Sequence, residues 1–183
     1  MTTLPLRFTQ DRRFALLGTL GFALALAAGA QVAIPVPGTP VPITLQPMIV
    51  VLAGMVLGPT LGAVSMIAYL AAGAAGLPVF SPFGAPGVAR LLGPTGGYLI
   101  AFPAAAFTAG FLARRFPSLV GRWIGATLGI AVLFVGGITQ LAILTGSLGV
   151  AIAQGITPFA AFDVVKALVA ALLARPKALD RRG

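Results

Sequence analysis

Long apolar runs recur from Phe14 to the basic C-terminal tail, and they leave this chain little choice of environment. An apolar stretch of about 20 residues is the length that crosses a bilayer as a helix. Only 8% of the 183 residues are charged, against roughly 25% in an average soluble domain. The sequence therefore describes an all-α integral membrane protein, one compact bundle without a separate soluble domain.

Breaks in the apolar pattern give the segments. Residues 1–13 form a polar leader carrying Arg7, Arg12 and Arg13, and an apolar stretch runs from Phe14 to Val36. Its basic start and the Ala28-Gly29-Ala30 triplet look superficially like a secretory signal. The run continues past that triplet to the length of a span, so a retained first helix is expected. Pro35, Pro37, Pro40 and Pro42 end it and define an uncharged loop through Thr44, because proline at this density cannot continue a helix. Leu45–Gly76 is then apolar for 32 residues, too long for one comfortable span and short for two. Gly58-Pro59-Thr60 interrupts it, and proline suits the first turn of a new helix. The split predicts helices at 45–57 and 59–76, with further spans at 95–113, 123–145 and 156–174.

The basic residues set the topology. Ten of the 12 fall at the N-terminus, around Arg114-Arg115 to Arg122, and in the tail from Arg175. Basic clusters mark cytoplasmic loops. All three share a side if six helices cross the membrane with both termini cytoplasmic. The predicted organisation is a leader (1–13), a six-helix membrane domain (14–175) and a basic cytoplasmic tail (176–183). The net charge of +9 then reports topology, with weak attraction to anionic lipid, rather than nucleic-acid binding.

Absences narrow the chemistry. There is no histidine, cysteine or glutamate, and the acids are Asp11, Asp163 and Asp180. Protein-built zinc or haem sites and histidine triads cannot be assembled from this set. Ser65, Ser118 and Ser147 have no histidine to activate them. Neither lysine follows a Gly-rich phosphate loop, so the chain carries no ATP-hydrolysing P-loop. A non-enzyme without a cofactor is expected.

Two basic residues stand outside the clusters. Lys166 and Asp163 lie three residues apart within an otherwise apolar run from Ala160 to Ala174, so on a helix they share a face. A charge at the bilayer centre costs at least about 2.5–3.5 kcal/mol and usually marks a pathway or a binding site. The plain alternative is a structural ion pair between helices. Arg90 ends a Pro- and Gly-rich outward loop, 77–92, that contains Phe80, Ser81 and Phe83. That loop reads equally as a lid or as a segment resting on headgroups. It leads into Gly93-Pro94-Thr95-Gly96-Gly97-Tyr98, where a helix N-terminus beside an arginine can receive a carboxylate. Phe80, Phe83, Tyr98 and Phe102 are candidate apolar walls, and Thr44 and Gln46 are candidate ligand donors or helix caps.

The runs VPITLQP (41–47), GLPVFSPFG (76–84), LLGPTGGYLIAF (91–102) and FDVVKALVAALLA (162–174) together resemble the BioY family, over roughly residues 14–175. Its members are biotin-binding S components of energy-coupling factor transporters. The resemblance implies a six-helix S-component bundle that captures biotin near the outer surface of a bacterial-type inner membrane. It implies as partners a transmembrane coupling protein and two ATPases. It assigns ligand contacts to Asp163, Lys166, Arg90 and Tyr98, and gives the polar contact of the 76–84 loop to Ser81. The chemistry is compatible: a carboxylate accepts from ureido N–H, an ammonium donates to the ureido carbonyl, and a guanidinium pairs with the acidic tail. The runner-up reading is a self-sufficient or ion-coupled carrier for biotin or another small acid. Ala23, Ala27 and the Ala30–Ala33 stretch offer a small-residue face, for docking the coupling protein or for packing inside the bundle.

Overall fold

In the computed structural model of the chain, residues 5–174 are described, with side chains from residue 12 onward. The predicted tail, 176–183, lies outside the described residues. The fold is a helical bundle: α1 (Pro5–Gln31), α2 (Gln46–Leu57), α3 (Pro59–Ala74), α4 (Val88–Leu92), α5 (Gly96–Arg115), α6 (Leu119–Thr145), α7 (Leu148–Gly155) and α8 (Ala160–Leu173). A two-residue antiparallel ladder, β1 (Ala33–Ile34) with β2 (Ile43–Thr44), closes the first loop. Residues 12–31 of α1, together with α5 and α6, are long and apolar enough to cross a membrane. The pair α7 and α8 makes a fourth such unit, bent by 50°, while α2 and α3 are shorter apolar helices.

Gly58 explains the α2–α3 reversal. Its φ of +87° is a left-handed value that glycine adopts without strain, and Pro59 opens α3 immediately behind it. The split expected at this triplet is therefore present, within two residues at either end. Two expectations differ. The first helix ends at Gln31, five residues before Val36, because the chain turns into β1; it also begins at Pro5, within the stretch read as a leader. The last span does not start at 156. It is two helices, with Leu148–Gly155 supplying α7 in a stretch expected to be a loop. Gly146, in the left-handed conformation, stops α6. Ser147 then caps α7 by accepting from the Val150 amide.

Small residues hold the helices together, as they must where lipid provides no hydrophobic drive for helices to associate. A Cβ on Gly54 of α2 would strike the Ala106 carbonyl of α5, and one on Gly62 would meet the Gly54 backbone. Gly97 and Gly136 bring α5 against α6 in the same way. The first helix belongs to this packing: Leu26 and Ala30 are wholly buried, Ala23 and Ala27 pack on the core, and Ser65 of α3 donates to the Thr19 carbonyl at 2.9 Å. The Ala23–Ala27 face thus serves internal packing. Gly54→Leu forces backbone apart and is expected to destabilise by about 1–3 kcal/mol or more, whereas Gly21→Ala, which meets nothing within 4 Å, leaves stability unchanged. Thermal unfolding of the purified protein in detergent checks both.

Candidate functional site

Asp163 and Lys166 form the ion pair. Lys166 Nζ donates to Asp163 Oδ1 at 2.7 Å, and the two side chains are 15% and 6% exposed. Asp163 lies in the first turn of α8, where the partial positive charge of the helix N-terminus favours a carboxylate. That is closer to the helix start than a span opening at 156 would place it, because residues 156–159 form the break ahead of α8. The pair does not face lipid. It lines a cavity partly open to solvent, whose largely apolar wall with a few convergent polar groups is of the kind found at small-molecule sites.

The cavity brings together most of the predicted residues. Asp163, Lys166, Arg90, Tyr98, Ser81, Phe80 and Gln46 all line it, with Thr44 and Phe102. Phe83 does not: it is 47% exposed and absent from the wall, because the loop turns outward between Ser81 and Gly84. Sequence reasoning missed the contribution of the first loop, where Val41, Pro42 and Ile43 join the lining, and the apolar walls Leu99, Leu133, Phe134 and Phe159. The sequence signals for the first loop were its lack of charge and the VPITLQP run at 41–47 that carries part of the family resemblance.

The 77–92 loop is tied down at several points. Phe80 packs edge-on to Tyr69 with centroids 5.5 Å apart. The Tyr69 hydroxyl donates to the Val79 carbonyl at 3.0 Å and accepts from Gln46 Nε2 at 2.9 Å. Gln31 Nε2 donates to the Phe80 carbonyl at 3.1 Å. Gln140 of α6 donates to the carbonyls of Leu91 and Gly93 at 3.0 and 2.7 Å.

Arg90 knits the middle of the loop. It is carried on α4, a short helix within the stretch read as a Pro- and Gly-rich loop, and it is 5% exposed. Its Nε donates to the Ala85 carbonyl at 3.0 Å and its Nη2 to the Ser81 carbonyl at 2.6 Å. Its Nη1 reaches the Phe83 carbonyl and, at 3.4 Å, the Ser81 hydroxyl. A guanidinium has five N–H donors, so these bonds leave one Nη2 hydrogen. Burial draws its pKa below the ordinary arginine value, yet an arginine keeps its charge in proteins. The site therefore presents an acid and an ammonium from α8, a guanidinium from the 77–92 loop, and apolar walls between. It has the parts to hold a small molecule that is both polar and acidic.

The sequence model of the BioY family matches residues 6–181. The chain belongs to the BioY family. A probable biotin transporter BioY of Pyrococcus horikoshii is 41% identical over 84% of this chain and 89% of its own length. A biotin transporter BioY of Thermotoga maritima is 38% identical over the same shares. Among solved structures, the S-component for biotin from an ECF-type ABC transporter superposes with a TM-score of 0.83 at 28% identity, covering 96% of this chain and 93% of that one. As a BioY member with these apolar helices, the chain is an all-helical, multi-pass membrane protein.

The Arg90 bonds generate a prediction. Lysine carries one ammonium in place of the planar fork and cannot reach the same acceptors together. Arg90→Lys should accelerate amide hydrogen exchange across residues 81–90 and leave α5 and α6 unchanged, as read by exchange mass spectrometry.

Proposed function

We propose that this chain is the substrate-binding membrane subunit for biotin uptake, capturing the vitamin in an outward-facing pocket and delivering it inward when coupled to a separate ATPase module. The observation that carries this reading is the Asp163–Lys166 pair, 2.7 Å apart, set in the wall of a cavity rather than sealed between helices. The names of the relatives, biotin transporters and a biotin S-component, support the choice of ligand.

The roles follow from donor and acceptor chemistry. Asp163 accepts from a ureido N–H, and Lys166 donates to the ureido carbonyl. The remaining Nη2 hydrogen of Arg90 pairs with the acidic tail. Ser81 and Gln46 supply polar contacts on the loop side, and Phe80, Tyr98 and Phe102 enclose the apolar ring and chain. In the proposed topology α2 and α3 cross as a pair and the bent α7–α8 unit crosses once. That gives six spans, both termini cytoplasmic, in a bacterial-type inner membrane. The partners in this reading are a transmembrane coupling protein and two ATPases, since the chain contributes no P-loop of its own.

Asp163→Asn and Lys166→Ala each remove half of a buried pair, and each should weaken binding of labelled biotin by tenfold or more, about 1.4 kcal/mol, while the protein still inserts. Tight binding by both purified variants would overturn the site. In a host membrane lacking the coupling protein and ATPases, uptake should fall to background while binding persists. Undiminished uptake there would favour a self-sufficient carrier.

A further inference from the structure

Among the backbone carbonyls that the break between α7 and α8 parts from their helical donors are those of Gln154 and Gly155. The carbonyl of Gln154 would ordinarily accept from the amide four residues on, which is Pro158, and proline has no N–H. The carbonyl of Gly155 would accept from Phe159, but the Phe159 amide bonds to Ile156 at 2.8 Å instead. A carbonyl left open in a membrane interior is costly, and here side chains from elsewhere fill both positions. The Tyr98 hydroxyl donates to the Gly155 carbonyl at 2.8 Å. The Thr39 hydroxyl, at the tip of the first loop, donates to the Gln154 carbonyl at 2.7 Å.

The two contacts differ in what they hold. Tyr98 comes from α5, which is packed closely on α6 through glycine contacts. Thr39 comes from a proline-rich loop whose only regular structure is the two-residue ladder. The Thr39 hydroxyl also accepts from the Val41 amide at 3.1 Å, and Val41, Pro42, Ile43 and Thr44 form one wall of the cavity. One hydroxyl therefore shapes that wall and fastens it to the helix break from which α8 carries Asp163 and Lys166.

We propose that Thr39 is the positioning residue that latches the first loop over the pocket, by giving Gln154 the hydrogen bond that Pro158 withholds, and that it sets how slowly a bound ligand leaves. The part concerning ligand release rests on the biotin-binding reading above. Releasing Thr39 frees the Val41–Thr44 wall without disturbing the α8 pair, so the latch acts on departure more than on capture.

The test compares Thr39→Val, which keeps the shape and loses both hydrogen bonds, with Thr39→Ser, which keeps both. The intact purified protein is loaded with labelled biotin, and association and dissociation are followed separately. Thr39→Val should raise the dissociation rate about tenfold with the association rate within about twofold, and Thr39→Ser should behave as the parent. In the same samples without ligand, the amides of Val41 and Ile43 should exchange at least tenfold faster in Thr39→Val, with α5 and α6 unchanged. Unaltered dissociation and exchange in Thr39→Val, or failure of serine to restore them, would overturn the latch. If the parent protein binds no biotin, the reading of function fails, and the exchange comparison still decides whether Thr39 fastens the loop.

Discussion

A polar group carried into hydrocarbon has no water to fall back on, and the polar groups around the cavity are arranged to meet that constraint. The Asp163 carboxylate has the Lys166 ammonium at 2.7 Å and the start of α8 at its back. The Gln46 amide and the Tyr69 hydroxyl satisfy one another at 2.9 Å. The Gln154 and Gly155 carbonyls at the α7–α8 break receive hydroxyls from a loop and a neighbouring helix. Each pairing fixes a piece of backbone as well as a charge or dipole, so the binding groups are positioned by the same bonds that make their burial tolerable.

Packing supplies the complementary part. Where α2, α3 and α5 meet, Gly54, Gly62 and Gly110 allow backbone to touch backbone, and no space is left for a ligand. The cavity lies instead where aromatic side chains and two irregular loops face the first turn of α8. Close glycine contacts on one side and bulky, imperfectly filling side chains on the other are what give a bundle of this size a preformed void.

Much of this was legible in the sequence because it rests on local chemistry. Glycine followed by proline at 58–59 marked the α2–α3 reversal to within two residues, and an acid and a base at helical spacing marked the site. The break before α8 was harder to read. Its signs were Gly146-Ser147, a helix stop followed by a cap, and Pro158 twelve residues from Gly146, all embedded in apolar sequence with no change of composition. Thr44 was a candidate donor, but the part played by Val41, Pro42 and Ile43 in the wall was not read, since a loop tied by one threonine to residue 154 has no periodicity. Phe83 was misplaced for a similar reason: which of two phenylalanines flanking Ser81-Pro82 turns inward depends on the loop path. Arg90 was read as a carboxylate-receiving arginine beside a helix N-terminus, and its carbonyl partners at 81, 83 and 85 leave no trace in side-chain identity.

The two fastenings over the pocket differ in chain separation. The acceptors of Arg90 lie within nine residues of it, whereas Thr39 and its acceptor are 115 residues apart. A ring closed over nine residues has a small entropic cost and requires no other part of the molecule to be in place. The arginine knot can therefore form as soon as its own stretch emerges during synthesis, but the threonine contact must wait for the last helices to arrive. One rim can thus close locally, while the other can close only when a segment 115 residues further along the chain is in place.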